Sequence, residues 1–305
     1  WILFLKVYDI KEKEWALIYD KYQSIIPKEL QWDKWACDKK DGKALTGDEL
    51  LNFVNGKLFP SLKKIPIDEN TPMNKAIIRA AFEDNNNYMK DGILLRQVIN
   101  IVDEIKFEEY EERHAFGEIY ETILRSLQSA GNAGEFYTPR AVTDFIVKMI
   151  KPKLGETIAD FACGTGGFLT SALKELEIQK RTADDVDKYA NSVYGIEKKA
   201  LPFLLCATNL LLHDIDNPNI IHGNSLEKNV KDYSEKDKFN IIIMNPPYGG
   251  NEKESVKQNF PADLRSGETA DLFISVIMYR LKKDGRCSII LPDGFLFGTD
   301  NAKIS

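Results

Sequence analysis

The sequence predicts an α/β protein in which an all-α N-terminal region precedes a doubly wound, parallel-rich sheet. Apolar runs and amphipathic helical stretches alternate from about residue 157 onward. Such alternation implies βαβ crossovers with helices on both faces of one sheet. Before about residue 130 the apolar residues follow a helical period and no strand pattern occurs. The chain of 305 residues is long enough for two domains, which we place at 1–130 and 131–305.

The N-terminal region carries recognisable helix signals. Thr46 and Glu49 have the spacing of a capping box and precede an apolar helical face. From Asp103 the pattern predicts a long charged helix whose apolar stripe includes Ile119 and Ile123. A run of small residues, 129–134, then separates this region from the second domain.

The second domain begins with a predicted helix and continues with the alternating pattern. Thr138 is a candidate N-cap, Pro139 a candidate first helical residue, and the stripe that follows is expected to be buried (Val142, Phe145, Ile146 and Met149). Strands are predicted at 157–163, 193–197, 219–222, 239–244 and 287–291, and helices at 168–176 and 200–212. The polar stretch 249–270 is expected to be a mobile loop.

Composition narrows the classes of function. The net charge of −6 and pI near 5.4 are unusual for a protein that holds nucleic acid alone, so a DNA-acting protein of this charge would need a partner. Cys37, Cys163, Cys206 and Cys287 are widely spaced and are expected to be reduced thiols in a cytoplasmic protein. The histidines show no zinc spacing, so no metal is expected, and no apolar run is long enough for a membrane span.

A glycine-rich turn follows the first predicted strand. Asp160 stands at the strand end, and Gly164, Thr165, Gly166 and Gly167 follow. Glycines let backbone N–H groups approach a ligand closely, and a helix start favours negative groups. The spacing is neither a dinucleotide fingerprint nor a phosphate-binding P-loop. Asp160 suits a ligand with an ammonium group, and the alternative is a tight strand-to-helix turn without a ligand.

Two further strand ends carry polar residues. Glu197 ends the second predicted strand, where a carboxylate can accept hydrogen bonds from both hydroxyls of a ribose. Asn224 follows the third strand and could hydrogen-bond an adenine edge, although each of these signals alone is weak.

The fourth strand ends in a rigid turn with exposed acceptors. An apolar run, 241–244, stops at Asn245, Pro246, Pro247 and Tyr248. Because the two prolines remove backbone donors, the strand cannot continue, and an amide, carbonyl oxygens and an aromatic ring remain. The alternative is a turn that merely terminates the strand.

Together these motifs resemble S-adenosylmethionine-dependent amino-methyltransferases. More closely, the whole chain resembles the methylation (M) subunit of type I restriction–modification systems. That resemblance also rests on segments outside the motifs above, namely 45–48, 58–60, 134–140, 269–273 and 291–296. It implies a Rossmann-like S-adenosylmethionine-dependent methyltransferase domain. Because such sheets usually have seven strands, we expect the last two beyond the end of this sequence, which would leave the catalytic domain truncated at its C-terminus.

The resemblance assigns roles to individual residues. The methionine part of S-adenosylmethionine is expected at two segments, Asp160 is expected near its ammonium group, Glu197 at its ribose and Asn224 at its adenine. These two segments are Glu135, Phe136, Tyr137, Thr138, Pro139 and Arg140, and Thr165, Gly166 and Gly167. Gly164 is also expected to bind the cofactor.

The activity that the resemblance implies is adenine-specific DNA methylation. The Asn245 amide oxygen and the Pro246 carbonyl would accept hydrogen bonds from the exocyclic amine of a flipped-out adenine, Pro247 would hold the turn rigid and Tyr248 would stack on the base. The implied partners are double-stranded DNA, a specificity (S) subunit and a restriction (R) subunit, with two M subunits per S subunit and no membrane.

Two rival functions remain open at this point. A protein-glutamine methyltransferase also needs acceptors around an amide nitrogen, although the large helical region is not expected in such an enzyme. A non-catalytic assembly subunit could keep the fold without activity, but the complete set of motifs argues against it. Nucleotide hydrolysis and hydride transfer lack the phosphate-binding motifs they require.

Overall fold

The computed structural model describes residues 1–37, 44–107, 110–129, 137–293 and 295. The chain divides into two compact units. The first comprises Trp1–Ile123 together with Ala207–Pro218, and the second comprises Leu124–Cys206 together with Asn219–Ser305. The domain boundary at residue 130 stays a prediction.

Every regular element described before residue 130 is helical. The α-helices are α1 (Ile2–Ile18), α2 (Trp32–Trp35), α3 (Gly47–Phe53), α4 (Phe59–Lys63), α5 (Met73–Glu83), α6 (Gly92–Asp103) and α7 (Tyr110–Ser129), with a π-helical turn at Val54–Leu58. Asp91 caps α6, because its carboxylate accepts hydrogen bonds from the backbone N–H groups of Ile93 (2.8 Å) and Leu94 (3.0 Å).

Two details of this region differ from the prediction. Thr46 occupies the N-cap position of α3, but its side chain makes no capping hydrogen bond within the described chain. Asp103 ends α6, and the charged helix is described over Tyr110–Ser129. On that helix Ile119 and Ile123 are exposed, so the buried stripe is narrower than the periodicity implied.

The second unit contains the predicted sheet. Its helices are α8 (Arg140–Ile150), α9 (Gly167–Glu177), α10 (Ala183–Ala190), α11 (Ala200–Leu212, whose last residues belong to the first unit), α12 (Glu254–Lys257) and α13 (Thr269–Arg280). Its strands are β1 (Ile158–Asp160), β2 (Val193–Glu197), β3 (Ile220–His222), β4 (Phe239–Met244) and β5 (Leu281–Ile289). None of the helices in the described ranges combines the length and the apolar character that a bilayer-spanning helix requires.

The sheet is parallel throughout, in the order β3-β2-β1-β4-β5. Ile158 of β1 pairs with Val193 of β2 on one side and with Ile241 of β4 on the other. The chain thus runs outward from β1 to β3 and then returns to the opposite side of β1. The predicted α/β class, with a parallel sheet and crossover helices, is confirmed.

The second half of β4 is fully buried. Ile241, Ile242, Ile243 and Met244 are all buried. A parallel strand buried on both faces reads as a continuous apolar run, as the sequence showed here. The end of β4 is therefore held rigidly by packing, and this fixes where Asn245 emerges.

The prediction of which face of α8 is buried is wrong. Phe145 and Met149 of α8 are each 62% exposed and Val142 is exposed as well, whereas Thr143 and Val147 are buried. Part of the inward face of α8 is polar and hydrogen-bonds α9: Thr143 Oγ1 and Ser171 Oγ are 2.8 Å apart. Thr138 is not the N-cap, since α8 begins at Arg140 with Pro139 at the cap position.

Two segments near the end of the sheet also differ from the prediction. The stretch expected to be a loop, 249–270, contains α12 and a 3-10 turn (Ala262–Leu264), and α13 already begins at Thr269. β5 starts at Leu281, six positions before the predicted start at Cys287. Its first half is charged and pairs irregularly with β4, so no apolar run marked it.

Candidate active site

A cavity of about 470 Å³ opens at the carboxyl ends of β1, β2 and β4. This is the point at which the strand order reverses around β1, the usual ligand position in open α/β sheets. Its volume falls within the range of about 300–1,000 Å³ typical of small-molecule sites. The cavity brings together predicted residues from five segments of the second unit: Thr138, Asp160, Gly164, Gly167, Glu197, Asn224, Asn245, Pro246, Pro247 and Tyr248.

The glycine turn between β1 and α9 depends on a left-handed backbone. Gly164 has φ +54° and Gly166 has φ +81°, and α9 starts directly after Gly166. A Cβ atom added to Gly166 would lie 2.8 Å from Cys206 Sγ. Both the backbone angle and the close approach of α11 therefore require glycine at position 166.

Asp160 places a carboxyl group beneath this turn. Its side chain is almost fully buried, at 1% exposure, and its Oδ1 accepts a hydrogen bond from the Ala162 N–H (3.0 Å). Burial, aided by the nearby Glu197 carboxylate, raises the pKa of Asp160 to about 8. A buried acid of this kind is best matched by a cationic ligand, which would restore its ionised form.

Glu197 joins the end of β2 to the glycine turn. Its Oε2 accepts a hydrogen bond from the Gly164 N–H (2.9 Å), and its Oε1 accepts one from the Lys199 N–H (2.7 Å). Burial raises the pKa of the Glu197 carboxyl group, while these backbone donors act in the opposite direction. Because a carboxylate offers about four acceptor positions, the held group keeps acceptors for ligand hydroxyls.

Asn224 lies in the turn after β3. Its Oδ1 accepts a hydrogen bond from the Leu226 N–H (3.1 Å), so the side chain shapes its own turn. The neighbouring Ser225 hydroxyl donates to the Phe161 carbonyl, 2.5 Å away, and connects this turn to β1. Asn224 therefore reaches the cavity wall with its oxygen already engaged.

The end of β4 presents an amide, carbonyls and a ring. Asn245 Nδ2 donates a hydrogen bond to Thr138 Oγ1 (3.3 Å). The Tyr248 hydroxyl lies within hydrogen-bond distance of two acceptors, Asn245 Oδ1 and the Ile290 carbonyl oxygen (2.8 Å), which share its single hydrogen. Burial raises the pKa of Tyr248, so its hydroxyl stays protonated. The Tyr248 side chain is nevertheless 41% exposed and accessible to a large ligand.

Several predicted site residues do not line the cavity. Tyr137, Pro139, Thr165 and Gly166 are not among the residues that line it. Arg140 also lies outside, and its Nη1 donates to the Gly167 carbonyl at 2.9 Å. Glu135 and Phe136 fall outside the described residues.

Some residues that line the cavity were not predicted from the sequence. Lys198, Glu252 and Phe273 line the cavity, and Lys198 Nζ lies 3.4 Å from Glu252 Oε1. Glu252 lies in the stretch that the sequence marked only as polar loop, so no pattern singled it out. In the described part of the chain, no group of three or more His, Cys, Asp or Glu residues could hold a metal ion.

A parallel sheet with a glycine turn, a buried acid after β1 and a second acid after β2 defines an α/β protein with a candidate small-molecule site at the carboxyl edge of the sheet. The chain belongs to the N-6 DNA Methylase family, whose model matches residues 111–304.

The individual proteins to which the chain is similar are consistent with this family. The chain is 50% identical to the type I restriction enzyme EcoEI methylase subunit of Escherichia coli, over 98% of this chain and 60% of that protein. A crystal structure assigned as a type I restriction enzyme modification subunit from Vibrio vulnificus YJ016 aligns with TM-score 0.81 and 38% identity, covering 99% of this chain and 67% of that one. A chain from the type I restriction–modification system gives TM-score 0.84 at 36% identity over 97% of this chain and 59% of its own. The chain thus spans about three fifths of the length of the curated relative from Escherichia coli.

Proposed function

We propose that the chain is the methyl-transferring part of an adenine-specific DNA methyltransferase, acting as the modification subunit of a type I restriction–modification complex. The observation that carries the proposal is the position of Asn245 and Pro246. Their acceptors line the same cavity as the buried Asp160 and Glu197. A methyl-donor site and an acceptor site for an amine are therefore adjacent.

The cavity fits S-adenosylmethionine as the cofactor. Asp160 offers a buried acid to the ammonium group, and Glu197 offers fixed acceptors to the ribose hydroxyls. The turn at Gly164 and Gly167 lines the cavity without side chains, which leaves room for the methionine part. When bound, S-adenosylmethionine supplies an activated methyl group on a sulfonium sulfur.

The protein's role in transfer is positioning and electrostatics. The exocyclic amine of adenine is a poor nucleophile because its lone pair is delocalised into the ring. Acceptance of its hydrogens by Asn245 Oδ1 and the Pro246 carbonyl would localise that lone pair and aim it at the methyl group. When bound, S-adenosylmethionine would supply its methyl group to the amine nitrogen and keep the electrons of the broken carbon–sulfur bond on sulfur, and the methylated amine would lose one proton to water. N6-methyladenine and S-adenosylhomocysteine are the products.

The adenine must leave the duplex to reach this cavity. The exposed Tyr248 ring would stack on the flipped base, a contact that contributes roughly 1–3 kcal/mol. The prolines at 246 and 247 keep the acceptors fixed, because each ring restricts its own φ.

We further propose double-stranded DNA, an S subunit and an R subunit as partners, with two M subunits per S subunit, in the cytoplasm. The net charge of −6 supports DNA binding that is shared with a partner subunit. The names of the relatives support the type I assembly. In this arrangement the present chain selects the atom that is methylated, and the S subunit selects the DNA sequence.

Labelled-methyl transfer tests the proposal. S-adenosylmethionine with a radiolabelled methyl group would be offered to the chain with DNA or with protein acceptors, each with and without an S subunit. We expect label in DNA as N6-methyladenine, strongly increased by the S subunit. Label in protein glutamine would favour the rival methyltransferase, and cofactor binding without any transfer would favour a non-catalytic assembly subunit.

A further inference from the structure

Thr138 makes a contact that cofactor binding does not explain. It lines the cavity two residues before α8 and leaves the helix cap to Pro139. Its Oγ1 accepts a hydrogen bond from Asn245 Nδ2 at 3.3 Å. The side chain predicted to hold the methionine part therefore touches the amide predicted to hold the adenine amine.

The backbone that carries Thr138 is anchored to the glycine turn. Arg140 Nη1 donates to the Gly167 carbonyl (2.9 Å), to Thr170 Oγ1 (2.8 Å) and to Ser171 Oγ (2.9 Å), which ties the start of α8 to the first turns of α9. A Cβ atom on Gly167 would lie 3.8 Å from the Thr138 carbonyl oxygen. Thr138 thus meets Asn245 from a support that does not depend on β4.

The two ends of the Asn245 amide have opposite chemistry and nearly the same shape. Only Oδ1 can accept a hydrogen bond from the adenine amine, while Nδ2 would present hydrogens to it. Packing alone distinguishes the two orientations poorly. In the structure, Thr138 Oγ1 receives the Nδ2 hydrogen and the Tyr248 hydroxyl donates to Oδ1. In the orientation observed, both polar ends of the amide have a partner, and Thr138 holds the Nδ2 end.

We propose that Thr138 is a positioning residue that keeps Nδ2 of Asn245 turned away from the base, so that Oδ1 remains the acceptor. The inference rests on the proposed methyl transfer and deepens it. Because Thr138 is anchored to the glycine turn, the acceptor for the base is aligned by the same segment that borders the methionine end of the cofactor cavity. Oδ1 has two lone pairs, so one stays available to the amine while Tyr248 occupies the other.

The test compares Thr138→Val, which keeps the shape and loses the acceptor, with Thr138→Ser, which keeps the acceptor. We expect Thr138→Val to lower kcat about tenfold at saturating cofactor and DNA, the effect of losing one orienting hydrogen bond. Its dissociation constant for S-adenosylmethionine should stay within about twofold by calorimetry. Thr138→Ser should restore kcat. A weakened cofactor affinity with normal kcat at saturation would overturn the proposal.

Two comparisons separate positioning from a general structural loss. Thr182 caps α10 through its side chain, and Thr182→Val is a matched change that should lower the melting temperature without changing kcat. Adding Thr138→Val to Asn245→Ala should cause no further loss of activity, since the oriented amide is already gone. A further loss of about tenfold in that double variant would contradict the proposal.

A spectroscopic measurement tests the contact between Thr138 and Asn245 without an activity assay. In protein labelled with ¹⁵N-asparagine, the side-chain signals that disappear in Asn245→Ala identify the Asn245 amide. Hydrogen exchange of these protons should speed up in Thr138→Val and remain slow in Thr138→Ser. Exchange unchanged by Thr138→Val would refute the proposal. If the wild-type chain transferred no methyl group to DNA, the proposed function would fail while this measurement still decided the contact.

Discussion

The carboxyl ends of β1 and β4 lie side by side in the sheet, yet they hold their polar side chains by different means. At β1 the Asp160 carboxylate accepts a hydrogen bond from the backbone of its own turn, and Glu197 from β2 is likewise held by backbone N–H groups. At β4 the Asn245 amide is held by the side chains of Thr138 and Tyr248.

The two strand ends are therefore arranged for ligand binding in different ways. The β1 end is fixed by backbone geometry and is buried, so it is ready for a small ligand at the cost of burying acids. The β4 end is fixed by side-chain contacts next to an exposed ring, which leaves it accessible to a large ligand. The first arrangement should be sensitive to changes in backbone shape, and the second to the loss of single polar atoms.

The largest expected effect is on the β1 end. Gly166→Asp should abolish measurable S-adenosylmethionine binding by calorimetry, because φ is +81° and the new Cβ would lie 2.8 Å from Cys206 Sγ. Gly155→Asp is the matched control: its φ is +93°, but the nearest atom to its Cβ is 3.9 Å away on Lys188. The control should lose some stability and still bind. Equal S-adenosylmethionine affinity in both variants would show that the glycine turn at position 166 has no particular role in binding.

The next effect concerns the β4 end. Asn245→Ala should lower methyl transfer to DNA by about 10²–10³-fold, as loss of a single preorganised polar group does elsewhere. Cofactor affinity should stay within about twofold, because the β1 end is untouched. Tyr248→Ala should show the same separation, with a fall in methylation of roughly 5- to 100-fold from lost stacking. An active Asn245→Ala protein would exclude the role given to this amide.

The smallest effect concerns stability. Because burial raises the pKa of Asp160 from 3.8 to about 8, the folded state binds one more proton than the unfolded state between these values. The ligand-free protein therefore loses stability as pH rises through that window. Asp160→Asn should raise the unfolding free energy at pH 7 by about 1–2 kcal/mol, after the cost of burying the amide hydrogens.

Denaturant unfolding at several pH values measures this effect. The advantage of Asp160→Asn should shrink toward pH 4 and disappear below it, while its cofactor affinity should be about tenfold weaker, reflecting the lost charge. A variant that is less stable than wild type at pH 7 and gains nothing as pH rises would show that Asp160 is ionised and satisfied without a ligand.

The sequence was most informative where burial dictates composition. β2 and β4 have the predicted bounds, Val193–Glu197 and Phe239–Met244, because buried parallel strands leave continuous apolar runs that end at polar turns. The start of β5 has no continuous apolar run, because it is charged and because β5 is an edge strand of the described sheet. The α8 prediction failed because a polar network with α9, invisible in local periodicity, decided which face is buried.

The site shows the same limit. The strand-end residues Asp160, Glu197 and Asn245 could be placed from sequence because parallel strands end at one edge of a sheet. The bond between Thr138 and Asn245 joins residues 107 positions apart, and neither residue carries a local signal of it. Contacts between side chains of distant segments follow from packing, which a single sequence does not report.

The close approach of Cys206 to Gly166 has a consequence for variation at both positions. The thiol of α11 fills the space that any side chain at position 166 would need, and Gly195 meets Cys163 in a similar way, at 2.9 Å from a hypothetical Cβ to Sγ. A bulkier residue at 206 would press on the glycine turn as directly as a substitution within it. We therefore expect position 206 to be mutationally coupled to the cavity although it does not line it, and a screen of variants should find positions 166 and 206 constrained together.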